Sequence, residues 1–101
     1  MNLPEKISAK DVEVCVLTFN RCALLKQALE SLAGQTAAGL LVSVYDNASS
    51  DATAEVVKAA EKSFGGNLKY VRHAKNIGAD ANFHAALDGA SRKYTMFMHD
   101  D

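Results

Sequence analysis

The sequence predicts an α/β unit built on a mostly parallel sheet of about four strands flanked by three helices. Three observations lead there. Short β-branched apolar runs alternate with segments of helical periodicity, the connections between them are brief, and the apolar runs read as strands covered on both faces. Parallel strands joined by helices imply right-handed crossovers. A chain of 101 residues, 49% hydrophobic, is sized for one such unit with a modest core.

Residues 1–11 read as a polar lead and 12–101 as the folded domain. "VEVCVLTF", Val12 to Phe19, is β-branched, apolar and too short for a helix, so it reads as a buried strand. Ala23, Leu24, Leu25, Ala28, Leu29 and Leu32 recur at three-to-four spacing and mark a helix that Gly34 is expected to stop. "LLVSVYD", Leu40 to Asp46, repeats the buried-strand pattern. It runs into "NASSDAT", where Ser49 or Ser50 is expected to cap a second helix whose first turn holds Asp51. Ala52, Val56, Val57, Ala60 and Phe64 mark the inner face of that helix, and Gly65-Gly66 breaks it. "NLKYVRH" is a shorter, more polar strand. In "ADANFHAALDGA", Phe83, Ala86, Leu87 and Ala90 fall at i, i+3, i+4 and i+7, which predicts a third helix with those residues turned inward. Tyr94 to Met98 is the last strand, followed by His99, Asp100 and Asp101.

Composition excludes several function classes. Eleven basic and twelve acidic side chains leave a formal net charge of -1, so no global field recruits nucleic acid or a charged membrane, and any anion site must be local. Cys15 and Cys22 have neither metal-ligand spacing nor the density of a secreted disulfide scaffold, and are expected to be reduced thiols. The start carries charges and no apolar leader core, and no run approaches ~18 uninterrupted apolar residues. The segment is therefore expected in the cytoplasm, peripheral to a membrane at most in a longer protein. His73, His84 and His99 show no paired metal spacing and are expected to be structural or exposed, with His99 singled out by the acids that follow it.

In open parallel sheets, ligands bind outside the carboxyl ends of the strands. Polar clusters collect there in this sequence: "TFNR" after the first strand, "DNASSD" after the second, "HAKNIGAD" after the third, "HDD" after the fourth. The residue types suit a nucleotide. Phe19 can stack on a base, Asp46 and Asn47 can pair with its edge, and Arg21 can meet phosphate. Adjacent carboxylates repel and raise each other's pKa unless a cation intervenes, which points Asp100 and Asp101 toward Mg²⁺ or Mn²⁺, hard cations that share their coordination with phosphates.

Together these segments resemble the nucleotide-sugar-binding half of a glycosyltransferase family 2 domain, which has the Rossmann-like GT-A fold. "VCVLTFNR" is similar to that family's first-strand signature, "LVSVYDNASSDAT" to its second, "NIGADANFHAAL" to its Asn-x-Gly segment, and "YTMFMHDD" to the strand entering its acidic metal motif. The resemblance implies a nucleotide-sugar donor lying over Phe19 and against Asp46 and Asn47. The matching positions Thr18, Asn20, Arg21, Asn76, Gly78 and Asn82 complete the expected donor site. It also implies Mn²⁺ or Mg²⁺ bridging the diphosphate to Asp100 and Asp101, with Asp101 as direct ligand or Asp100 opening a three-residue motif. UDP or dTDP is favoured, because a pyrimidine ring N–H needs an acceptor that Asp46 and Asn47 carry.

Three positions depart from the family pattern. Ala48 replaces a glycine, at an expected small cost; Asn47 stands where many members have an acid; and no arginine follows Asn-x-Gly, with Asn82 nearby. The general base is expected beyond residue 101, together with an acceptor-binding region for a glycan, lipid or protein. The chain then binds donor without turnover, and a sheet cut after its fourth strand is expected to self-associate. A nicotinamide-dinucleotide domain is the rival reading, since Asp46 ends the second strand as a ribose-binding acid would. It meets the absence of glycine in "TFNRCALL". A non-catalytic truncated module is the third.

Overall fold

The computed structural model describes residues 8–35 and 39–99. After a 3-10 turn, Ala9–Asp11, the order is β1 Val12–Thr18, α1 Cys22–Gln35, β2 Leu41–Asp46, α2 Thr53–Phe64, β3 Leu68–Arg72, α3 Ala79–Asp88 and β4 Tyr94–His99. The four strands form one wholly parallel sheet in the order β3-β2-β1-β4. The predicted α/β class and element order are both found.

Strand periodicity assigns the faces. Val12, Val14 and Val16 of β1 join Val42 and Val44 of β2 in a cluster with Leu25, Leu29 and Leu32 of α1 and Val57 and Phe64 of α2. The alternate residues Cys15 and Tyr45 meet Ala86 of α3, so α3 covers the opposite face.

That opposite face is partly polar. Glu13 is 0% exposed, with Oε2 accepting from Ser43 Oγ at 2.5 Å and Oε1 from the Ser91 amide at 2.9 Å, while Lys69 Nζ lies 3.8 Å away. Burial by itself would raise the carboxyl's pKa. The Ser43 and Ser91 hydrogen bonds and the Lys69 charge outweigh it and hold the group below its ordinary value. Burial, with Glu13 as the nearest negative charge, pushes the Cys15 thiol up to about 11. At Gly89 a Cβ would meet the Tyr45 hydroxyl, so a larger residue there would have to displace that buried side chain.

Four local expectations change. Gly34 does not stop α1, which runs through it to Gln35; an exposed helical glycine costs only about 1 kcal/mol, less than the packing around Leu32 supplies. Ser49 and Ser50 do not cap α2. Asp51 does that work, its Oδ1 accepting from the Thr53 amide at 3.1 Å and the Thr53 hydroxyl at 2.5 Å. The inward face of α3 is Asn82 and Ala86, while Phe83 and Leu87 are 37% and 44% exposed. Phe83 reaches outward to Phe97 of the edge strand β4, with ring centroids 4.5 Å apart. Finally, Ala48 adopts φ 64°, a left-handed backbone that costs a residue with a Cβ about 1 kcal/mol, so the missing glycine is felt.

Candidate functional site

The strand order places a topological switch point between β1 and β4. From β1 the chain advances through β2 to β3 with α1 and α2 on one face, then returns across the other face by α3 to β4. A crevice opens at the carboxyl ends of the two strands where these directions diverge. It is a cleft of about 270 Å³ lined by Leu17, Thr18, Phe19, Arg21, Asn47, Ala79 and Asn82. Phe19 is 43% exposed, so an aromatic ring stands open to the cleft instead of packing in the core. A groove of about 380 Å³ between α1 and α2 is a packing seam of Leu29, Ala33, Val56 and Phe64, rimmed by Lys26, Glu30 and Glu55, and includes none of the strand-end residues.

The loops around the cleft hold one another. Asn20 has φ 51°, a conformation asparagine tolerates, and its amide donates to Ser49 Oγ at 2.8 Å while its Oδ1 accepts from the Ser50 amide at 2.7 Å. Ser49 is in turn fixed by Asp46, whose Oδ1 accepts from the Ser49 amide at 3.0 Å and its hydroxyl at 2.6 Å. The other Asp46 oxygen accepts from Tyr70 Oη at 2.5 Å, with Arg72 Nε at 3.9 Å and Arg72 also donating to the Ser49 carbonyl at 3.0 Å. Asp46 is 0% exposed, so its carboxylate is committed to this brace between the β1 and β2 loops. Burial first, then the Asp46 carboxylate, push the Tyr70 hydroxyl well above the ordinary tyrosine range, and the tyrosine stays a donor.

Asp51 ties the same loops from outside, its Oδ2 accepting from the Cys22 amide at 3.0 Å at the start of α1. The Thr53 hydroxyl leads the donors that hold its carboxyl below the ordinary value. Asn47 accepts at Oδ1 from the Ile77 amide at 2.8 Å and so joins the β2 loop to the segment before α3. In that segment Asn76 Oδ1 accepts from the Gly78 amide at 2.8 Å, and Gly78 turns the chain into α3 with φ 90° and ψ 157°, a region open essentially to glycine alone. Asn82 is 3% exposed, donates to the Tyr45 carbonyl at 3.1 Å and meets His73 Nε2 at 2.8 Å, which gives His73 a structural partner. His84 is exposed and lies edge-on to Phe83.

Of the positions singled out in the sequence, Thr18, Phe19, Arg21, Asn47 and Asn82 line the cleft. Asn20, Asp46, Asn76 and Gly78 shape it through the bonds just described. Asp100 and Asp101 lie outside the described residues, as does the side chain of His99. Among the described residues no cluster of three His, Cys, Asp or Glu side chains is poised for a metal. Sequence reasoning missed Ser49, Tyr70 and Arg72. A signal existed: Tyr70 and Arg72 are two apart on one strand, and the register sets Arg72 beside Asp46.

The model of the family described as "Glycosyl transferase family 2" matches residues 13–101. The chain belongs to glycosyltransferase family 2. It is similar to the abequosyltransferase RfbV of Salmonella typhimurium, 29% identical over 92 residues that cover 89% of this chain and 28% of that protein. It is also similar to the GalNAc(5)-diNAcBac-PP-undecaprenol beta-1,3-glucosyltransferase of Campylobacter jejuni, 33% identical over 90 residues, covering 89% of this chain and 29% of the relative. The chain thus spans less than a third of the length of either glycosyltransferase. Among solved structures, the mannosyltransferase PcManGT of Pyrobaculum calidifontis, in complex with GDP-Man and Mn²⁺, superimposes with a TM-score of 0.81 at 26% identity, over 90% of this chain and 27% of that one. S. aureus TarS 1-349 in complex with UDP-GlcNAc gives 0.81 at 28% identity, over 90% and 26%. The GT-A-like fold expected from the family 2 motifs is the fold found.

Proposed function

We propose that the strand-end cleft binds the nucleoside diphosphate of a sugar donor, and that this family 2 chain is the donor-binding part of a glycosyltransferase. The observation that carries the reading is the gathering of an open aromatic ring, a guanidinium and a buried amide, Phe19, Arg21 and Asn47, in one cleft at the switch point. Phe19 stacks on the base, Asn47 meets its edge and Arg21 faces the phosphates. The relatives' donors, GDP-Man in PcManGT and UDP-GlcNAc in TarS, support the ligand class.

Arg21 is the only cation lining the cleft among the described residues, and a diphosphate carries more charge than it balances. That deficit fits a divalent cation, Mn²⁺ or Mg²⁺, held by Asp100 and Asp101; β4 pairs with β1 up to Leu17 and so leads to the cleft's own edge. When bound, the ion supplies charge neutralisation for the departing diphosphate. Among the described residues no carboxylate or histidine lines the cleft; donor binding without turnover is the behaviour we propose for this chain. The acceptor is a glycan, lipid or protein hydroxyl. Both cysteines are free, and no helix among the described residues is long and apolar enough to cross a membrane; the cytoplasmic location is a proposal from composition alone.

A dinucleotide cofactor suits the site poorly. The N-terminus of α1, where a pyrophosphate would rest, already has the Asp51 carboxylate on its Cys22 amide. Calorimetry separates the readings: nucleoside diphosphates bind in the presence of Mn²⁺, Phe19→Ala and Arg21→Ala each weaken them, and NAD does not bind. Tighter binding of NAD than of any nucleoside diphosphate would overturn the proposal.

A further inference from the structure

Asn47 is 4% exposed, lines the cleft and has a fixed amide orientation. The Ile77 backbone N–H can only donate, so the atom 2.8 Å from it is the side-chain oxygen, and that acceptor is already engaged. The amino group Nδ2 faces the other way. It has no hydrogen-bond partner among the described residues, yet no buried side-chain nitrogen or oxygen there is left unpaired, so Nδ2 reaches the open cleft. Its neighbour cannot supply an acceptor instead, because both oxygens of the buried Asp46 carboxylate accept from Ser49 and Tyr70. Asn47 and Asp46 together therefore offer a base one donor and no acceptor.

We infer that the cleft selects a cytidine diphosphate donor over its uridine and thymidine counterparts, an inference that rests on the donor-binding reading above. The bases differ at N3 and at the exocyclic group on C4, and it is N3 that is set against Asn47. Cytosine N3 is an acceptor, which Asn47 Nδ2 satisfies; uracil and thymine carry N3–H, which would oppose one donor with another in a largely desolvated site. Cytidine departs from the expectation of UDP or dTDP, which rested on residue types, for a specific reason. Asparagine brings both a donor and an acceptor, and the backbone at Ile77 has taken the acceptor.

The test is calorimetry of the 101-residue chain with CDP, UDP and dTDP in Mn²⁺, repeated on Asn47→Asp. Aspartate keeps one oxygen for Ile77 and turns the other toward the cleft, replacing a donor with an acceptor. CDP should bind the parent about tenfold or more tighter than UDP or dTDP, and Asn47→Asp should reverse that order. Equal or tighter binding of UDP or dTDP by the parent overturns the cytidine assignment and leaves the donor-binding reading standing. Binding of none of the three overturns both. If Asn47→Asp does not fold by circular dichroism, folded Asn47→Ala should bring CDP and UDP affinities together, and an undiminished CDP preference there removes Asn47 as the reader.

Discussion

The two faces of the sheet are built from different chemistry. On the α1 and α2 side, valines of β1 and β2 meet Leu25, Leu29, Val57 and Phe64 in one continuous apolar cluster. On the α3 side, the alternate positions of the same strands carry Glu13, Cys15, Ser43 and Tyr45, and the apolar cluster shrinks to Cys15, Tyr45 and Ala86. The apolar face is held by close packing; the α3 face adds directional bonds that fix particular atoms against one another. The α3 side is also the side that must set Asn82, Gly78 and Ile77 against the ends of β1 and β2. Register at the cleft is thus held by polar bonds, while stability comes chiefly from the other face.

That contrast can be broken from either side. The largest effect is expected for Leu25→Ala on the apolar face, a fully buried side chain whose loss should cost about 2–5 kcal/mol in urea unfolding. On the polar face, Glu13→Gln keeps shape but loses the charge-assisted bonds to Ser43 and Ser91, and should cost about 1–3 kcal/mol at neutral pH. The two differ in pH dependence. A carboxyl whose folded pKa is depressed stabilises the fold above its unfolded value, 4.5, and that contribution is lost as pH falls through the folded value. Acid titration of stability should therefore show a limb below pH 4.5 in the parent and in Leu25→Ala that is diminished in Glu13→Gln.

Smaller effects sharpen the comparison at its margins. Phe83 and Leu87 on α3, with Met96 and Phe97 on β4, are large exposed apolar side chains beside a strand that is at the sheet edge among the described residues. Phe83→Ser with Leu87→Ser should change unfolding free energy by less than about 1 kcal/mol while lowering self-association in sedimentation velocity. Ala48→Gly relieves the left-handed backbone and should gain about 0.5–1 kcal/mol, measured as a raised midpoint of thermal unfolding.

The sequence was most legible where one force dominates. β1 and β2 are valine-bearing strands buried on nearly every residue, so their ends fell within one residue of those expected from pattern alone. Helix α3 misled because Phe83 and Leu87 share the helical spacing of a buried stripe; the smaller Asn82 and Ala86 allow the close approach to β2 that Tyr45 and Gly89 require. In the cleft, residue types marked the strand ends. They could not show which polar atoms were already spoken for: the Asp46 carboxylate braces Ser49 and Tyr70, and the Asn47 oxygen holds Ile77. The Asp46–Ser49 bond is local, three residues apart, but the bonds to Tyr70 and Ile77 join residues 24 and 30 apart in sequence, which periodicity does not reach.

Nucleotide is expected to bind at the switch-point cleft. Backbone amide NMR of the chain, titrated with a nucleoside diphosphate and Mg²⁺ as the diamagnetic ion, tests it most directly. The largest shifts are expected at Thr18 to Arg21, Asn47 and Ile77, with the α1–α2 groove around Lys26, Val56 and Phe64 unchanged. Shifts centred on that groove, or none anywhere at saturating nucleotide, would contradict it.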